Sequence, residues 1–78
     1  MQISLAAARV NANLSQEEVA KKLGKSKQTI INWEKGRTAP GIIEIEALEK
    51  IYNIPWSNIF LPSYSTNSRL IDELKKNN

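Results

Sequence analysis

A single residue separates a helix stop from a helix start in the first half of the chain: Gly24, Lys25, Ser26. A glycine closing an apolar-periodic run suits the left-handed turn that terminates a helix. A serine opening the next run caps its first turn. Two helices joined by so short a connection cannot fold back antiparallel, so they must cross at a steep angle. The upstream helix starts as clearly as it stops. Ser15 is its N-cap, Glu18 completes a capping box, and Leu14 with Val19 forms a hydrophobic staple. Val19, Ala20 and Leu23 make its inner face. The downstream helix, from Ser26 to Lys35, carries Ile30, Trp33 and Glu34 on its inner stripe and ends at Gly36.

The remaining elements read less sharply. A first helix is predicted from Ile3 to Asn11, with Leu5, Ala8 and Ala12 sharing a face. Arg37 to Gly41 is a loop, because Pro40 and Gly41 both interrupt helix. A fourth helix follows, with Ile42, Ile45, Leu48 and Tyr52 at helical spacing and Ile51 widening the stripe. Asn53 ends it. Pro55 opens a short fifth helix, Trp56–Leu61, expected to bury Ile59 and Phe60. Beyond it, 62–78 reads as a polar tail in which Leu70, Ile71 and Leu74 could form a last amphipathic turn.

Composition excludes whole classes of chemistry. Seventy-eight residues make one small domain, burying about 60% of the unfolded surface. With no cysteine and no histidine, disulfides, thiol and imidazole catalysis and the usual zinc sites are ruled out. No base is placed to activate a serine, and no Gly-rich phosphate loop occurs. The chain is therefore expected to be no enzyme and to use no metal or cofactor. The apolar run Leu5–Ala8 lacks the basic residue and the length of a signal peptide. No stretch of about 18 apolar residues could span a membrane. A soluble, cytoplasmic protein is expected.

The net charge is only +3, but it is unevenly placed. Between Val19 and Pro40 lie Lys21, Lys22, Lys25, Lys27, Lys35 and Arg37, opposed by Glu34 alone. From Gly41 to Ile54 the balance reverses, with Glu44, Glu46 and Glu49 against Lys50. One basic face suits a phosphate backbone; an ordinary solvated surface would look the same by charge alone. Placement adds more. With Ile30 and Trp33 turned inward, Gln28, Ile31, Asn32 and Lys35 fall on the opposite side of the third helix, with Lys27 beside them. Amides can bond adenine bidentately and lysine can donate to guanine in the major groove.

The run Leu14-Ser15-Gln16-Glu17-Glu18-Val19-Ala20-x-x-Leu23-Gly24-x-Ser26-x-x-Thr29-Ile30-x-x-Trp33-Glu34-x-Gly36-Arg37-x-x-Pro40 resembles the Cro/C1-type (XRE) helix-turn-helix family. The similarity reaches upstream to Leu5 and Arg9 and downstream through Tyr52, Ile54 and Ile59-Phe60, covering about residues 3–61. It implies an all-α, five-helix, lambda-repressor-like DNA-binding domain over 1–61, with 62–78 as a short C-terminal extension. By the same resemblance, Lys27, Gln28 and Asn32 match base-reading positions, with Thr29 as a candidate contributor. Gln16, Lys35, Arg37 and Thr38 match phosphate-contacting positions, and Arg9 with Glu34 matches a structural salt bridge. Three residues depart from the pattern: Lys25 where Val is common, Glu49 where a small apolar residue is usual, and Ile31 where a polar one is usual.

The function implied is a sequence-specific transcriptional regulator, dimeric on a double-stranded DNA operator. The alternative is a protein-binding antirepressor of the same fold that captures another regulator. Ile31 divides the two, because it is expected to be exposed among polar neighbours. It could meet a thymine methyl or anchor a protein partner. Trp33 reads as core rather than a base-stacking platform, Arg9–Glu34 as a structural pair, and Lys21 and Lys22 as a solvated face. Trp56 stays open between a cap on the core and a partner contact.

Overall fold

A computed structural model describes residues 2–60, with the Phe60 side chain left aside. Strand β1 (Ile3–Ser4) leads into α1 (Leu5–Asn11), α2 (Gln16–Leu23), α3 (Lys27–Lys35) and α4 (Ile42–Tyr52). A 3-10 turn, Trp56–Asn58, and strand β2 (Ile59–Phe60) follow. The fold is helical, and its helices are set by local chemistry. Ser4, Ser15 and Ser26 each cap a helix, their hydroxyls accepting from Ala7, Glu18 and Thr29 backbone N–H groups. The capping box is complete: Ser15 N–H donates to Glu18 Oε1 at 3.0 Å, and Glu18 N–H to Ser15 Oγ at 3.0 Å. That backbone donor, and then the Ser15 hydroxyl, hold the Glu18 carboxyl below its ordinary pKa.

Gly24 and Gly36 both stop their helices with φ of 66° and 78°. Each ending carries the paired backbone bonds of a Schellman motif. Lys25 N–H reaches Ala20 O at 2.9 Å and Gly24 N–H reaches Lys21 O at 3.3 Å. Arg37 N–H reaches Asn32 O at 2.9 Å and Gly36 N–H reaches Trp33 O at 3.2 Å. The second of these folds Arg37 back over the last turn of α3.

Leu5, Ala8, Val19, Ala20, Ile30, Trp33, Leu48, Tyr52 and Ile59 form one core, joining every helix to β2. Ala20 is the small residue of α2 buried in that core, and α2 and α3 make the most extensive helix–helix contact among the described elements.

Four expectations need correction. The first helix begins at Leu5, not Ile3, because Ser4 is extended (φ −68°, ψ 158°) as its cap. The fifth helix does not form. Pro55 holds an extended cap and one 3-10 turn follows, whose Ser57 and Asn58 favour turns over helix. Ile59 is then extended and pairs parallel with Ile3, as Phe60 does with Ser4. Ile59 is buried as expected, but in a strand. Ile42 is not on the packed stripe: it is 76% exposed, and its neighbour Ile43 is 80% exposed. Gly41 starts α4 at Ile42; Glu44 and Ile45 of its first turn are half-buried, and full burial starts at Leu48. Ile31 is half-buried rather than exposed, since its one-residue step from Ile30 leaves it at the edge of the buried stripe. The expected 62–78 tail, with Leu70, Ile71 and Leu74, lies outside the described residues, as does Leu61.

Candidate nucleic-acid interface

The candidate interface begins with what holds α3 in place. Arg9 Nε donates to Glu34 Oε2 at 2.7 Å, and Gln16 Nε2 donates to Glu34 Oε1 at 3.0 Å. Arg9 Nη1 also donates to Leu14 O at 2.9 Å. The Glu34 carboxylate therefore ties α1 and the first turn of α2 to the last turn of α3, and Arg9 adds the loop after α1. The pair is nearly closed to solvent, with 15% of the Arg9 side chain and 7% of the Glu34 side chain exposed. Charge-assisted bonds in such a setting are short and directional. The amide nitrogen of Gln16 has two hydrogens, so bracing Glu34 leaves one for a ligand.

The opposite side of α3 is a second network, at the surface. Gln28 Nε2 donates to Asn32 Oδ1 at 3.0 Å, and Arg37 Nη1 donates to the same oxygen at 3.4 Å. Three residues singled out from the sequence are thus brought together by the helical repeat and the Gly36 turn. Lys35 and Thr38 are exposed beside them. Lys27 lies at the helix start, its Nζ 3.2 Å from Glu17 Oε1, with both side chains largely in solvent. Thr29 is half-buried and its hydroxyl is 3.0 Å from that of Ser26, so it serves the N-cap of α3.

Two departures from the family pattern acquire partners. Lys25 Nζ lies 3.5 Å from Glu44 Oε1, pinning the turn between α2 and α3 to α4. Glu49 Oε2 accepts the Trp56 backbone N–H at 2.8 Å, capping the 3-10 turn that replaces a fifth helix. Trp56 itself is half-buried against the core. Sequence reasoning missed both contacts, since each joins residues on different elements. It also missed the Asn32 hub. The signal for that hub was available: a glycine four residues after Asn32, followed at once by arginine, is a Schellman ending that returns Arg37 to Asn32.

Steeply joined helices, a clamped inner side and a polar, basic outer side make α3 a helix built to be presented. The helix-turn-helix family profile matches residues 5–59. The chain belongs to the Cro/C1-type helix-turn-helix family. Among its relatives in that family is the cryptic phage CTXphi transcriptional repressor RstR of Vibrio cholerae, 43% identical over 60% of this chain and 42% of the repressor. An uncharacterized HTH-type transcriptional regulator of Methanocaldococcus jannaschii is 43% identical over 63% of this chain and 74% of its own length. Another from Archaeoglobus fulgidus is 32% identical over 68% of this chain and 75% of its own. The match thus spans less than half of the phage repressor, but most of each archaeal regulator. No solved structure matches the chain significantly. Among the described residues, no helix is long and apolar enough to cross a membrane.

Proposed function

We propose that this helix-turn-helix protein is a sequence-specific, double-stranded DNA-binding transcriptional regulator that reads an operator with α3 in the major groove. The observation that carries this reading is the outer face of α3. Gln28 and Asn32 stand there between the cations Lys27, Lys35 and Arg37, on a helix whose other side is locked to the core. Base edges are read by the amides, and phosphates by Lys35, Arg37, Thr38 and the spare N–H of Gln16. Thr29 and half-buried Ile31 border the face, and Ile31 is placed to pack on a thymine methyl. So few base contacts discriminate weakly, at about 1–3 kcal/mol for each good bidentate pair. A homodimer on a pseudo-palindrome, with half-sites about 34 Å apart, supplies the rest. The protein works without catalysis or cofactor, in the cytoplasm.

Selection of bound duplexes from a randomised pool tests this reading. A two-fold-related consensus is expected. Log affinity for it should fall with log salt at a slope of about 0.9 per phosphate contacted. A flat salt response, or no duplex retained at low salt, contradicts it.

A second reading, capture of another regulator, draws on the exposed pair Ile42 and Ile43. It predicts that Ile43→Ser abolishes co-purification of that regulator while duplex binding stays intact; unchanged co-purification removes it.

A further inference from the structure

The network on the outer face of α3 divides labour between its two amides. Arg37 has donors only, so the Asn32 atom facing it at 3.4 Å must be the oxygen. That fixes the Asn32 amide, and it obliges Gln28 to approach the same oxygen with its nitrogen, at 3.0 Å. An amide oxygen has two lone pairs, and here both are taken. Asn32 is left with two N–H donors and no acceptor. Gln28 keeps its oxygen free and one of its two amide hydrogens.

These remainders are chemically different. Bidentate recognition of adenine needs one acceptor for N6–H and one donor for N7 on the same amide. Gln28 has that pair, provided the hydrogen turned away from its own oxygen is the one given to Asn32. Asn32 does not, unless one of its two bonds breaks. We infer that Gln28 is the adenine reader of this surface, and that Asn32 is its positioning residue. The Asn32 oxygen orients the Gln28 amide before DNA arrives, and Arg37 holds Asn32 in that orientation. The remaining donors of Asn32 face a phosphate, not a base edge. Four of the five Arg37 N–H groups stay available to the backbone. This inference rests on the DNA reading above and refines it.

The test compares two duplexes, the selected consensus and the same sequence with one A·T pair changed, in competition against wild type and four variants. The pair chosen is the one whose discrimination Gln28→Ala abolishes. The variants are Gln28→Ala, Asn32→Ala, Asn32→Asp and the double Gln28→Ala/Asn32→Ala, each shown to melt as wild type does. Wild type should prefer adenine by on the order of tenfold or more. Asn32→Ala should lose most of that preference at the same pair, and the double variant should lose no more than Gln28→Ala alone. Asn32→Asp keeps an acceptor for Gln28 and Arg37, so it should retain the adenine preference while binding all duplexes more weakly. A merely structural Asn32 would not couple to Gln28 at one base pair.

The inference is overturned if Asn32→Ala leaves the Gln28 pair intact and loses a different one. It is also overturned if Asn32→Asp shifts preference towards cytosine, which would place residue 32 on a base edge. In both cases DNA binding itself survives. If wild type binds no duplex at all, the inference falls together with the reading beneath it.

Discussion

On the inner side of α3, the Glu34 carboxylate takes donors from Arg9 and Gln16 with only 7% of its side chain exposed. On the outer side, Asn32 Oδ1 takes donors from Gln28 and Arg37 at the open surface. Both networks centre on one oxygen-bearing group of the same helix, yet water separates their roles. In the closed site, losing a partner strands a charge that solvent cannot reach. In the open site, water replaces a lost partner at little cost, and the geometry of the surviving donors and acceptors is what changes. On the proposed DNA reading, the inner network is therefore expected to show in stability and the outer one in specificity.

The largest expected effect tests the inner half of that comparison. Glu34→Gln or Arg9→Met should destabilise the fold by roughly 3 kcal/mol, a fall in Tm of about 12 °C or more for a domain of this size. Thermal unfolding followed by circular dichroism measures it. Equal melting of both variants and wild type would show that solvent reaches the pair. Gln28→Ala and Asn32→Ala, by contrast, should move stability by less than about 0.5 kcal/mol.

Tyr52 sharpens the comparison, because it is a buried polar group beside the inner network. Its hydroxyl finds no hydrogen-bond partner among the described residues. Burial, with the nearby Glu34 charge, pushes its pKa from 10.0 up to about 12, against the opposing effect of Arg9. The folded state thus keeps a proton that the unfolded chain releases. This contribution to stability is full below pH 10.0 and is lost as pH rises from there through about 12. Tyr52→Phe should remove that part of the alkaline loss. At neutral pH it should melt within about 0.5 kcal/mol of wild type or slightly above, since no bond is broken. Parallel alkaline melting curves for the two proteins would mean that Tyr52 ionises as freely folded as unfolded.

The smallest effect concerns the exposed ion pair at the start of α3. Glu17→Gln should change stability by less than about 0.5 kcal/mol, because Lys27 and Glu17 are mostly solvated. A chemical denaturation midpoint that shifts as far as that of Glu34→Gln would erase the distinction between closed and open pairs.

Much of the molecule was legible in its residues wherever local chemistry decides the backbone. The Ser15–Glu18 box and the Ser26 cap fall where their side chains dictate, and the Gly24 and Gly36 stops where the missing Cβ permits a positive φ. The Arg9–Glu34 pair was legible only through family resemblance, as its partners are far apart in sequence. Legibility failed where tertiary contact overrides local pattern. Ile59 and Phe60 pair with Ile3 and Ser4 across nearly the whole described chain, and no helical periodicity signals such a partner. Ile42 fits the spacing of a buried stripe, but spacing does not reveal that full burial along α4 starts only at Leu48. The outer face of α3 was legible as a set of candidates, because helical spacing places Gln28, Asn32 and Lys35 together. Its internal bonds depend on side-chain orientation, which sequence spacing leaves open.

The most direct measurement is the ratio of affinities for the selected duplex and a scrambled one, taken for wild type and Gln28→Ala at one salt concentration. If the outer face of α3 specifies DNA, Gln28→Ala should bring that ratio down by about tenfold or more, while affinity for scrambled DNA stays as it was. An unchanged ratio would contradict base reading by α3.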